Sequence, residues 1–225
     1  MKNCENRNNG WTLLEIILVA FITLSLTALI LSVVLSGKKG AHTVSCTGNL
    51  RNLRVALELY RETSDGHFPL RIETLYTVGL TPKSVHLCPS DPVEGFASKH
   101  YFECSKKKVI IPNTYETMLD WSENLKAVLS EIDPNHGIVV CRVHGAKTEF
   151  YADGIANFCD ASGFMFEGLL LRLRKDGSIQ RAKLSLHHGP PPNVAAMKYW
   201  ELYTDEAPDF VERLRKSFSR LNNDL

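Results

Sequence analysis

Hydrophobic and polar positions divide this chain unevenly. The opening MKNCENRNNG is polar; WTLLEIILVAFITLSLTALILSVVLSG then runs apolar, with no charged residue from Ile16 to Gly37. An apolar run of about 20 residues spans a bilayer as a helix. At ~1.5 Å per residue, Trp11 to Leu35 would measure roughly 37 Å. A cleaved secretory signal has an apolar core of only about 7–15 residues and ends in a small-x-small site. This run is longer and no A-x-A closes it, so the pattern predicts a membrane-inserted helix over 11–37. Lys2 and Arg7 precede the run and Lys38 and Lys39 follow it, so basic flanks decide little about orientation. A single carboxylate, Glu15, interrupts the start of the run.

Beyond the apolar run the period becomes helical and amphipathic. Leu50, Leu53, Leu57 and Tyr60 fall on one face of a helix over Val44–Thr63, with Arg51, Arg54, Glu58 and Arg61 mostly elsewhere. The link SGKKGAH carries two glycines, and a kink is expected there rather than an end. SDGHFP breaks the helix, Ile72–Leu80 reads as a short helix, and HLCPSDPVEGF as a loop. Thr114–Ile132 has helical spacing in Met118, Trp121, Leu125 and Leu129.

The period then shortens. GIVVCRV and TEFYA read as strands about an HGAK turn, and Asp153-Gly154 marks a further turn before IANFC. LLLRLRK and SIQRAKLSL flank Asp176-Gly177, a strong hairpin signal. Leu169, Leu171 and Leu173 alternate with Arg172 and Arg174, as in a strand with one buried and one solvated face. HHGPPPN reads as an exposed loop and Asp209–Leu221 as a terminal helix. The expected class is α+β: a long hydrophobic helix continuing into an amphipathic one, packed on an antiparallel sheet.

With 225 residues, the chain can hold one domain with a core plus an anchor. Its 26 basic and 25 acidic residues leave no nucleic-acid footprint. Catalytic signatures such as G-x-S-x-G, H-E-x-x-H or a P-loop are absent. His144 and Asp153 alone fall short of the several convergent groups an active site needs, so no enzyme is expected.

The stretch Gly10-Trp11-Thr12-Leu13-Leu14-Glu15 resembles the processing site of type IV prepilins and type II secretion pseudopilins. That pattern is a short polar leader ending in Gly, an aromatic residue (usually Phe, here Trp11), a Thr-Leu pair, and Glu at the fifth mature position. The resemblance covers about the first 60 residues. It implies a leader over 1–10, a filament-core helix over 11–37 and an extracytoplasmic pilin-like domain over 38–225. It implies cleavage between Gly10 and Trp11 by a prepilin peptidase, which would also methylate Trp11. It further implies that Glu15 pairs with the free amine of a neighbouring subunit during assembly on an inner-membrane platform. The expected function is therefore a structural subunit of a type IV pilus or type II secretion pseudopilus, held first in the inner membrane with its C-terminal domain in the periplasm. The alternative is an unprocessed, single-pass anchored binding domain.

A weaker resemblance extends further. Cys46, Asn49-Leu50-Arg51, Tyr60, Asp65-Gly66, Phe68-Pro69 and Cys88-Pro89-Ser90-Asp91, with His144 ahead of Asp153-Gly154, are similar to pilin-like proteins of planctomycete and verrucomicrobial bacteria.

Of the cysteines, Cys4 lies in the leader and Cys46, Cys88, Cys104, Cys141 and Cys159 beyond the apolar run. Outside the cytoplasm these five allow up to two disulfides and one free thiol. Cys46 with Cys88, which flank the helix-to-loop region, is the expected pair. A zinc site would draw on His86, Cys88, Cys104, Cys141, His144 and Cys159, but only Cys141-x-x-His144 has zinc-pair spacing and two such pairs are usual. Asp91, Glu94 and Asp120 offer oxygen ligands for calcium without an EF-hand spacing. No metal and no cofactor are therefore expected.

Overall fold

The computed structural model describes residues 12–95, 97, 110–120, 123–150, 164–187 and 200–206. The chain forms two compact units, 1–41 and 42–225. A single helix, α1 (Leu13–Thr63, 51 residues), supplies secondary structure to both. It is not ended at Gly37 or Gly40. Each glycine costs a helix about 1 kcal/mol relative to alanine, too little to stop one with long helical runs on both sides.

In the first unit the apolar side chains of α1 are exposed from Leu13 through Leu35. This is the one helix among the described residues long and apolar enough to cross a membrane. Its start is closed locally. Thr12 N–H and Thr12 Oγ1–H donate to Glu15 Oε2 at 2.8 and 3.0 Å, and Glu15 N–H donates back to Thr12 Oγ1 at 3.3 Å. Thr12-x-x-Glu15 is thus a reciprocal capping box, in which two otherwise unsatisfied helix-start N–H groups find acceptors.

In the second unit α1 buries one stripe: Cys46, Leu50, Leu53, Ala56 and Leu57, with Tyr60 packed at its edge. The four expected positions hold, and Cys46 extends the stripe one turn towards the N-terminus. Asp65 and Gly66 turn left-handed (φ 51° and 81°), and Gly66 N–H reaches back to Arg61 O at 2.9 Å to close the helix. A short α2 (Thr74–Thr77) follows.

The core is completed by an antiparallel sheet of five strands: β1 (Glu116–Thr117), β2 (Gly137–Cys141), β3 (Gly145–Phe150), β4 (Phe164–Arg174) and β5 (Ile179–His187). Its long central strand is β4. Along one edge of β4 lies all of β5, from Met165↔His187 to Leu173↔Ile179. Along the other lie β2 and then β3 in succession. β1 closes the sheet against β2, with Glu116 opposite Val140. All five residues of β2 are buried, as befits an unbroken GIVVC run.

Two expectations change. Residues 114–132 are not one helix: Glu116–Thr117 pair with β2, and the helix, α3, spans only Glu123–Ile132. Arg172 does not face solvent. It is 1% exposed because the segment around Glu201 and Leu202 covers it and accepts its hydrogen bonds. Gly137 permits that burial: a Cβ there would sit 2.5 Å from Arg172 Cγ. The Asp176-Gly177 hairpin forms, but only Gly177 takes positive φ (82°), as in a longer loop ending in a left-handed glycine.

Candidate metal centre

Three cysteines and a histidine from distant parts of the second unit converge. Cys46 Sγ, Cys88 Sγ, Cys141 Sγ and one ring nitrogen of His144 all lie within 4.8 Å of one another. Each arrives by a separate device. Cys46 sits on the buried stripe of α1. Cys88 begins a tight turn in which Asp91 N–H donates to Cys88 O at 2.9 Å. Cys88 N–H donates to Thr114 Oγ1 at 3.1 Å, and Thr114 Oγ1–H in turn donates to Asp91 Oδ2 at 2.6 Å. Asn49 of α1 donates to Leu87 O at 2.8 Å, tying the loop to the helix beside Cys46.

Cys141 and His144 depend on an irregularity in the sheet. Cys141 lies opposite Leu171 and Gly145 opposite Gly168, so four steps on this edge match three along β4. That is one extra residue, taken up in the turn Arg142–His144 that joins β2 to β3. In a regular strand, residues three apart point to opposite faces; one inserted residue returns them to the same face. The C-x-x-H pair therefore runs from the last residue of β2 into the turn, which brings His144 back beside Cys141.

The cluster is nearly dry: Cys46 and Cys141 are fully buried and Cys88 is 3% exposed. His144 is half-buried, with Nε2 at 3.3 Å from Cys88 Sγ and Nδ1 at 3.3 Å from Ser90 Oγ. Tyr115 OH lies 3.6 Å from Cys46 Sγ. The hydrogen bonds from Cys141 and Cys46 hold the Cys88 thiol far below its usual range, against the effect of burial. Cys141 is pushed well up, first by burial and then by its hydrogen bonds to the other two. At Cys46 the Cys141 hydrogen bond works downward, but the Cys88 hydrogen bond, burial and Cys88 charge together push it up to about 12. Burial and the neighbouring sulfur charges raise Tyr115, so it remains a neutral hydroxyl able to donate to sulfur.

The disulfide expected between Cys46 and Cys88 is not formed. Both are free thiols, as is Cys141. Cys46 and Cys88 lie side by side as members of a four-donor group with Cys141 and His144. His86 stands outside the group: its Nε2 lies 2.8 Å from Thr81 Oγ1, and burial lowers it to about 4. Cys104, Cys159 and Asp153 lie outside the described residues, as do the cleavage positions Gly10 and Trp11. The oxygens of Asp91 build its own loop, accepting from Val93 N–H at 3.0 Å and Gly95 N–H at 2.9 Å as well as from Thr114. They do not form a calcium loop with Glu94 and Asp120. Buried Arg142, next in the chain to Cys141, forms an ion pair with buried Glu116.

Comparison with protein families, curated proteins and solved structures finds no match to this chain.

Proposed function

We propose that this chain is a prepilin-like structural subunit of a type IV pilus or type II secretion pseudopilus. A prepilin peptidase cuts between Gly10 and Trp11 and methylates Trp11. The mature subunit then leaves the inner membrane for a filament, joining other pilin or pseudopilin subunits on an assembly platform, with its second unit on the periplasmic side. The observation that carries this reading is α1. Its first part is apolar and exposed all round, while the stripe Cys46–Leu57 is built into the core of an antiparallel-sheet domain. An exposed apolar helix needs either lipid or other copies of itself around it, and in a filament helix packing replaces lipid contact.

The capping box favours a second reading. It gives Glu15 a local role, and a plain single-pass anchor carrying a binding domain would use the same cap. The mature N-terminus separates the two. Intact-mass and N-terminal peptide analysis of the membrane-bound protein is expected to show a chain starting at methylated Trp11. A chain that retains residues 1–10 overturns the subunit reading in favour of the anchor.

A further inference from the structure

We propose that Cys46, Cys88, Cys141 and His144 bind one Zn²⁺ in a closed tetrahedral site that joins α1, the Cys88 loop and the β2–β3 turn. The spacing fits. Zinc with Zn–S of about 2.3 Å and Zn–N of about 2.0–2.1 Å makes S···S edges of about 3.8 Å and S···N edges of about 3.6 Å. Here the Cys88–His144 edge is 3.3 Å and no edge exceeds 4.8 Å. Closing on a metal thus requires side-chain adjustments of about an ångström or less at this bond length.

The donor set identifies the ion. Three thiolates and an imidazole suit zinc in tetrahedral geometry, whereas oxygen-preferring calcium and magnesium are excluded by ligand type. All four positions are filled by protein, leaving none for water or substrate, which marks a structural rather than catalytic zinc. Outer partners are also in place. Ser90 Oγ can accept the Nδ1–H of His144, which leaves the Nε2 lone pair directed at the cluster. The Tyr115 hydroxyl can donate to Cys46 sulfur. A disulfide would account for only two of the three thiols and would leave the imidazole at Cys88 without a purpose. The site stands on these residues alone and does not depend on the filament reading.

The test uses the full chain in detergent, purified without added reductant from zinc-supplemented cells, with free thiols alkylated at lysis and counted. Metal analysis and native mass spectrometry are expected to give one zinc per chain with Cys46, Cys88 and Cys141 all reduced. Cobalt substitution is expected to give the intense ligand-field bands of a tetrahedral thiolate site. His144→Ala should lower zinc affinity by at least tenfold. His144→Cys should keep the metal and shift the cobalt spectrum, and Ser90→Ala should weaken binding by about 10–100-fold. Because His144 lies half-exposed in a turn, its variants test the site without emptying the core. Zinc below one-tenth equivalent in the folded wild-type chain overturns the proposal. So does a Cys46–Cys88 disulfide under those conditions, or a cobalt spectrum indifferent to His144→Cys.

Discussion

Replacing Glu15 by Gln separates two roles that an alanine substitution would confuse. The carboxylate accepts two hydrogen bonds from Thr12, at 2.8 and 3.0 Å, and Glu15 N–H returns one to Thr12 Oγ1 at 3.3 Å. A capping box works with Glu or Gln at this position, so Glu15→Gln keeps the cap and removes only the charge. The cap is worth about 1 kcal/mol, roughly fivefold in an equilibrium. Removing one partner of a buried ion pair costs about 3–5 kcal/mol, more than a hundredfold. The magnitudes are far enough apart to decide. In cells co-expressing tagged variant and wild type, the ratio of the two chains in isolated filaments reports incorporation. If Glu15 pairs with a neighbour's amine, Glu15→Gln and Glu15→Ala are both depleted at least about a hundredfold relative to their membrane levels, and Thr12→Ala less than about tenfold. Incorporation of Glu15→Gln within about fivefold of wild type refutes the pairing and leaves Glu15 as a cap.

Three further outcomes concern the second unit, each measured by urea unfolding of the full chain in detergent. Arg172→Met removes bonds to Leu202 O, Glu201 O, Gln180 and Asp205, at 2.8, 2.7, 2.8 and 3.0 Å; Asp205 is half-exposed, so the cost is that of the two carbonyls losing a charged donor, about 1.5–3 kcal/mol, and a loss below about 1 kcal/mol contradicts its role as the strut for residues 200–206. Gly137→Ala forces a methyl to 2.5 Å from Arg172 Cγ and should cost about 1–3 kcal/mol. Gly48→Ala, in open space within α1, should instead stabilise by about 0.5–1 kcal/mol, and the opposite order would refute the packing argument. Burial holds His136 below its ordinary 6.5. The unfolded chain therefore binds this proton first as pH falls. Its contribution to stability is intact above about pH 6.5 and lost progressively below it, so His136→Gln should flatten the stability profile between neutral and mildly acid pH. An unchanged profile would show that another group governs it.

Much of the architecture was legible because it rests on periodicity. The stripe Leu50, Leu53, Leu57 and Tyr60 follows from 3.6-residue spacing, β4 from its alternation, β2 from its β-rich apolar run and β5 from the Asp176-Gly177 hairpin signal. What escaped has local physical causes. β1 is two residues long, too short to carry a period. Arg172 was read as solvated because its cover, residues 200–206, is distant in sequence. The capping box is written in the sequence as Thr12-x-x-Glu15, a helix-start pattern in which the same carboxylate is also a membrane-segment charge. Of the cysteine–histidine cluster, Cys88, Cys141 and His144 stand among the zinc candidates the sequence offers, and Cys46 does not. Cys46 comes from α1 and Cys88 from a distant loop, so no local spacing ties either to Cys141-x-x-His144. The available hint was that Cys46 continues the apolar stripe exactly one turn before Leu50.

The central position of β4 has a consequence in time. The stripe on α1 ends at Leu57, whereas the central strand of the sheet ends at Arg174. At synthesis rates of about 5–20 residues per second, that interval lasts roughly 6–25 s. Through it the helix exists, but Leu50, Leu53 and Leu57 have no finished sheet to cover them. A newborn chain is thus apolar along one side of α1 until β4 emerges.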